Sequence, residues 1–180
     1  MTILERPLTD ALLLQPDVFK DQRGTFIETY KERQFQELAS GVAFVQDNES
    51  TSLKGALRGL HFQAPPHAQT KLIRVVHGKI LDVIVDCRPQ SPTYGQHFAV
   101  ELSAENHLQL LVPKGLAHGF LTLSETATVN YKVDDYYHPE CDAGIAYNDP
   151  DLGISWPFEN YIISEKDRAL PRLKDLKNPF

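Results

Sequence analysis

The sequence has only two cysteines, Cys87 and Cys141, and their spacing matches no metal-binding pair. At 180 residues a chain can build its core without disulfides, so a disulfide scaffold is not needed and a reduced, cytoplasmic protein is the simplest reading. No apolar run is long enough to span a bilayer. The start, Met1-Thr2-Ile3-Leu4-Glu5-Arg6-Pro7, lacks the basic-then-apolar order of a signal peptide. Basic residues are few and scattered: 18 Lys and Arg against 24 Asp and Glu give a formal net charge of −6. No stripe of them could track a nucleic acid, so neither nucleic acid nor membrane is an expected partner. A small anion stays open, because a few local Arg and Lys hold a phosphate whatever the net charge. Internal repeats, linkers and low-complexity segments are also missing, and residues 1–180 are read as one domain with an ordinary 42% of hydrophobic residues.

What is present is a β pattern broken by Gly and Pro. Ile80 to Asp86 is a mostly buried strand closed by Arg88-Pro89, and His97–Leu102 and His107–Val112 follow. Ala127 to Val133 alternates cleanly, which places Ala127, Val129, Tyr131 and Val133 on one face. A Tyr so placed commonly just bonds a nearby carbonyl. Leu8 to Phe19 reads as strand, and Asp21–Glu28 as a turn entering a strand. Phe44 to Ser50 reads as an apolar strand end that breaks into polar residues able to bond their own backbone. Helix is scarce: Lys31 to Leu38, stopped by Gly41, and a short final turn opened by Ser164-Glu165-Lys166-Asp167. Many short strands with little helix predict an all-β sandwich or barrel.

One stretch departs from the alternation of a plain core. Leu57 to Gln63 and Lys71 to Gly78 are strand-like runs around a Pro-Pro loop, and they carry Arg58, His61, Gln63 and Lys71 among apolar neighbours. Polar groups in such runs cost free energy unless paired, so several together point either to a site or to a solvated sheet face.

Gly55, five residues, His61-Phe62-Gln63, then Lys71, six residues, Gly78 resemble the first motif of the cupins, and Pro113 to His118 resembles the second. The resemblance implies a cupin-type jelly-roll barrel with a few short peripheral helices. Metal-binding cupins use two His in an H-x-H, a Glu and a later His. Here Gln63 stands for the second His and Lys71 for the Glu, leaving His61 and His118. A cation in place of a carboxylate repels a divalent metal, so the cupin metal site is read as lost, and no metal and no cofactor is expected.

Within the cupins, the chain resembles the dTDP-4-dehydrorhamnose 3,5-epimerase family from about Asp21 to Phe180. The marks are Asp21-x-Arg23-Gly24-x-Phe26, Gln46-Asp47-Asn48-x-Ser50, Arg58 to Gln63, Lys71 to Arg74, Pro113-x-Gly115-x-Ala117-His118-Gly119-Phe120, Tyr136-Tyr137-x-Pro139-Glu140 and Asn148-Asp149-Pro150-x-Leu152-Gly153-Ile154. Each alone is weak; together and in order they are specific. The implied reaction epimerises C3 and C5 of dTDP-4-dehydro-6-deoxyglucose to give the L-rhamnose precursor. Its chemistry fits the residues: the C4 ketone acidifies both carbons, His titrates near neutral pH, and a fixed cation lowers the enolate.

By resemblance, His61 is the base, Asp167 its orienting partner, Lys71 the enolate stabiliser and Tyr131 the acid. His118 is a further substrate contact near the C4 oxygen, with a packed structural His as the other reading. Arg23, Glu28, Gln46, Asn48, Arg58 and Lys166 match residues that hold the deoxythymidine and its pyrophosphate. Asp142 stands where the family usually has Glu, and Tyr147 where it commonly has Trp. The resemblance also implies a homodimer in which the N-terminal segment, with Arg23 and Glu28, reaches the neighbour's site. Association with a dehydratase or a reductase of the same pathway is left open. The alternatives are an epimerase of one carbon only, disfavoured by the complete motif set, and a nucleotide-sugar-binding cupin without catalysis, which would not need a base, an acid and a Lys together.

Overall fold

Alternation of apolar side chains divides most of the chain into short strands. The computed structural model, which describes residues 1–39, 41–177 and 179–180, sets them in two facing antiparallel sheets. In chain order the strands are β1 (Thr2–Glu5), β2 (Leu12–Gln15), β3 (Val18–Asp21), β4 (Gly24–Ile27), β5 (Gln46–Leu53), β6 (Leu57–Gln63), β7 (Lys71–His77), β8 (Lys79–Asp86), β9 (His97–Ser103), β10 (Gln109–Val112), β11 (Leu116–Thr122), β12 (Thr126–Val133) and β13 (Asp142–Gly144). One sheet runs β1-β2-β10-β7-β12-β5, the other β13-β6-β11-β8-β9, and β3 and β4 form a separate hairpin. The short helices α1 (Glu32–Leu38) and α2 (Glu165–Arg168) lie outside the sheets. This is the all-β, cupin-type jelly roll that the resemblance implied. Among the described residues no helix is long and apolar enough to cross a membrane.

Three apolar layers hold it together. Between the sheets, Ile73 and Val75 of β7 and Ala127 and Val129 of β12 pack with Ile80 and Ile84 of β8 and Phe120 of β11. The period of two turns Leu72, Leu12, Leu14 and Leu111 to the outside of the first sheet. Leaving such side chains in water would forfeit about 1.5–3 kcal/mol each. Phe35 of α1, fully buried, covers them together with Tyr30 and Phe44. At seven residues α1 is too short to persist alone, so this packing is what holds it. On the outside of the second sheet, Leu60, Phe62, Val83 and Val85 are covered by the returning tail, with Ile145, Leu152, Trp156 and Leu173.

Two expectations need correcting. The polar run after Phe44 does not break into local turns: Gln46 to Leu53 is a regular strand paired along its whole length with β12. It looks unlike a strand because its inward residues face a polar cavity rather than the core. Leu57–Gln63 and Lys71–His77, moreover, do not share a sheet: β6 and β7 lie on opposite sheets, and the Pro-Pro loop crosses between them. Their polar residues therefore face each other across the interior. The strand read over Leu8 to Phe19 is in fact β2 and the start of β3, and β1 and β13 carried too few residues for a pattern.

Candidate active site

His61 lies on β6 and is about a third exposed toward the interior. Its Nε2 is 2.8 Å from Oδ1 of Asp167, and the other carboxylate oxygen accepts the Gly59 N–H at 3.1 Å. Asp167 is buried, which is tolerable only because both oxygens are bonded. It is delivered by α2, whose start is fixed by Ser164: the Ser164 hydroxyl accepts the Asp167 N–H at 3.1 Å, a standard N-cap. With Asp167 on Nε2, the Nδ1 lone pair of a neutral His61 is available to abstract a proton.

A bulge opens β6 to the cavity. Between the pairs His118–His61 and Phe120–Arg58, β11 advances two residues while β6 advances three. Arg58 and His61, which a straight strand would send to opposite faces, therefore line the same cavity. The close approach requires glycine on both sides. Gly59 has φ +116°, and a Cβ on it would sit 2.6 Å from the Gly119 Cα, while one on Gly119 would sit 2.5 Å from the Arg58 carbonyl oxygen.

The opposite wall comes from the other sheet. Lys71 on β7 and Tyr131 on β12 point inward on neighbouring strands, as the alternation of β12 predicted. The Lys71 ammonium donates to the His61 carbonyl at 3.3 Å. Among the described residues nothing bonds the Tyr131 hydroxyl. Gln46 and Asn48 on β5 join each other at 2.8 Å, and Arg58 donates to Ser52 at 2.9 Å. The main cavity has a volume of about 510 Å³ and adjoins a side pocket of about 200 Å³; His61, Lys71 and Tyr131 border both. A second cleft of about 510 Å³ is only the curl of the β3–β4 hairpin, away from His61.

Burial sets the protonation of these groups. Desolvation lowers the His61 pKa, outweighing the Asp167 carboxylate that raises it, so the ring is neutral at pH 7. Desolvation pushes Lys71 down to about 8, with Asp142 and Asp82 opposing the fall. Desolvation raises Tyr131, with the nearby Arg58 charge pulling the other way, which keeps the phenol protonated.

Several residues were not legible as partners. His118, buried on β11, has Nε2 2.6 Å from Oδ1 of the fully buried Asp82, and its second carboxylate oxygen has no bond among the described residues. Tyr137 lines the side pocket and donates to Asp142 at 2.9 Å; Lys166 bonds the same carboxylate. Gln63 is buried, and its amide donates to the carbonyls of His67 and Tyr136 at 2.8 and 3.0 Å while accepting the His138 N–H at 2.6 Å. These bonds clamp the Pro-Pro loop to the segment that carries Tyr137. With that carboxamide engaged and an ammonium at Lys71, the residues do not fit the cupin barrel metal.

Arg23 and Glu28 are not brought to this cavity within one chain. Arg23 stands at the tip of the β3–β4 hairpin, 85% exposed, paired to Asp21 at 2.5 Å, and Glu28 pairs with Lys31.

A jelly roll with a His–Asp pair, a buried ammonium and a protonated phenol around one cavity is the equipment of a cupin-type isomerase. Residues 5–175 match the family described as dTDP-4-dehydrorhamnose 3,5-epimerase. The dTDP-4-dehydrorhamnose 3,5-epimerase of Methanothermobacter thermautotrophicus is 50% identical over 175 residues, 96% of this chain and 94% of that protein. A Bacillus anthracis dTDP-4-dehydrorhamnose 3,5-epimerase crystallised with TDP and PPi bound is 52% identical, with a TM-score of 0.92 over 95% of this chain and 98% of that one. A Legionella pneumophila dTDP-6-deoxy-D-glucose-3,5-epimerase in complex with dTDP-4-keto-L-rhamnose is 43% identical, with a TM-score of 0.94 over 98% and 94%. The chain belongs to the dTDP-4-dehydrorhamnose 3,5-epimerase family.

Proposed function

We propose that the protein converts dTDP-4-dehydro-6-deoxy-D-glucose to dTDP-4-dehydro-L-rhamnose by inverting C3 and C5. The observation that carries this is the division of the site between two walls: His61 with Asp167 on one sheet, Lys71 and Tyr131 on the other. His61 Nδ1 removes the proton beside the ketone, and the electron pair moves to the C4 oxygen as an enolate. The Lys71 ammonium stabilises that oxygen. Tyr131 returns a proton to the carbon from the opposite side. Asp167 holds the tautomer and balances the imidazolium. His118 contacts the sugar near the C4 oxygen. Arg58, Gln46, Asn48, Lys166 and Asp142 face the nucleotide end, where Arg suits a pyrophosphate.

Arg23 and Glu28 serve the site of a second copy in a two-fold dimer. In support, the hairpin that carries Arg23 exposes Phe19 and Phe26, at 57% and 65%, which an isolated hairpin has no reason to present. Solvent deuterium followed by NMR tests the double inversion: label is expected at both C3 and C5 of the product. Label at one carbon would instead make this a single-carbon epimerase.

Tyr131→Phe keeps the ring that packs beside Val129 and removes the proton. Folding is expected to be unchanged, while deuterium exchange into substrate outlasts formation of product. Equal loss of both would mean that Tyr131 does more than deliver a proton.

The pH profile of kcat/KM is expected to be a bell. Activity needs His61 neutral, so it falls on the acid side with a midpoint below the ordinary 6.5. It also needs Lys71 protonated, so it falls on the alkaline side near 8. Lys71→Arg, which stays charged, is expected to remove the alkaline limb whatever it does to the maximum; a limb that persists would assign it to another group.

A further inference from the structure

Outside the barrel, His67, Asp135 and His138 each bring a ligand atom to within 4.8 Å of the others. We propose that these side chains, with Glu140, form a binding site for a divalent transition ion of the zinc class, bridging the two loops at the rim of the cavity. His67 lies in the loop between β6 and β7, and the others lie in the segment after β12. His67 Nδ1 is 3.0 Å from Asp135 Oδ2, and His138 Nδ1 is 3.2 Å from Glu140 Oε1. Ligands on one tetrahedral ion with bonds of about 2.1 Å stand roughly 3.4 Å apart, so each pair by itself is at ligand spacing, and the exposed Glu140, outside the cluster of three, swings in as the fourth ligand.

The two imidazoles are stacked, with centroids 3.4 Å apart and planes within 9°. Parallel rings cannot both aim a lone pair at one ion, so one of them turns about its Cβ–Cγ bond when the ion binds. They are free to do this: His67, Asp135 and His138 are 34%, 31% and 31% exposed and sit outside the apolar layers. The backbone beneath them is fixed. Gln63 ties the His67 carbonyl to the His138 N–H, and Gln69 donates to the Asp135 carbonyl at 2.8 Å. Ligand-bearing backbones held together under adjustable side chains limit the ordering that binding requires.

The donor chemistry selects the ion. Two imidazoles with two carboxylates suit Zn²⁺, Co²⁺, Ni²⁺ or Cu²⁺, whereas Mg²⁺ and Ca²⁺ take oxygen sets. Tyr137, between Tyr136 and His138, lines the side pocket, so an ion here fastens the outer wall of the cavity and takes no part in proton transfer.

Calorimetric titration of the full chain with ZnCl₂ tests this, with CoCl₂ as a spectroscopic substitute. The expected result is about one equivalent bound per chain at micromolar affinity, a visible Co²⁺ band of a four-coordinate nitrogen-bearing site, and no comparable binding of MgCl₂. His138→Ala and the near-isosteric Asp135→Asn are each expected to weaken zinc binding at least tenfold, while His118→Ala, inside the barrel, leaves it unchanged. The Asp135→Asn variant carries the test if either alanine variant fails to fold. Zinc binding at full strength in a His67→Ala/His138→Ala double variant, or in Asp135→Asn, would overturn the proposal. So would zinc binding no tighter than magnesium.

Discussion

His61→Ala is expected to lower turnover by about two to four orders of magnitude while leaving dTDP affinity nearly unchanged. The separation follows from the proposed division of labour, in which His61 acts on the sugar while Arg58, Gln46 and Asn48 hold the nucleotide. Alanine also strands the buried Asp167 carboxylate, and an unpaired group of that kind costs about 1–3 kcal/mol. His61→Gln is therefore the cleaner variant, because its amide nitrogen takes the place of Nε2 beside Asp167 and has no basicity. Turnover, calorimetric dTDP binding and thermal unfolding read the three effects separately. If His61→Gln kept turnover within tenfold of the parent, the base would have to be sought elsewhere.

Mixing two impaired variants is expected to restore activity at low substrate. On the proposed shared site, Arg23→Ala removes one charge-assisted contact to the nucleotide, worth about 1.5–3 kcal/mol, or roughly 10- to 150-fold at low substrate. His61→Gln removes the proposed base. Co-expressed in one cell, the two chains form mixed dimers in half of the molecules. If Arg23 serves the neighbour's site, each mixed dimer has one site with both residues intact and one with neither. Activity then returns to roughly a quarter of the parent's. If Arg23 serves its own chain, no mixed site is intact and the preparation gains nothing over Arg23→Ala alone. The same protein run by light scattering gives the oligomeric state.

Legibility in the sequence followed how local each feature is. The alternation of Ala127, Val129, Tyr131 and Val133 is a period within one strand, and it correctly turned Tyr131 inward. Ser164 three residues before Asp167 is likewise a local capping signal, and α2 starts there. The polar strand Gln46–Leu53 was misread because the rule equates inward with apolar, and this inner face borders a polar cavity. The meeting of His61 and Asp167, 106 residues apart, has no local signature and came only through family resemblance. Asp82 was hidden in the apolar run of β8, where nothing shows that its carboxylate reaches diagonally to His118 rather than facing its direct partner Phe120. Tyr137 lies in an irregular segment with no period to give it a direction.

The docking of the tail has a consequence for how the protein is made. The segment that supplies Asp167 is stitched on late in the chain: Ile162 donates to Gly55 and accepts from Leu57, the Ala146 N–H donates to the Pro171 carbonyl, and the Leu173 N–H donates to Asp149. Synthesis runs from the N-terminus, so both sheets through β12 can leave the ribosome before that carboxylate exists. A nascent or clipped chain lacking it has the walls of the cavity, the ammonium and the phenol, but a histidine with nothing to set its tautomer. Chemical competence thus waits on the docking of the tail, the final event of assembly.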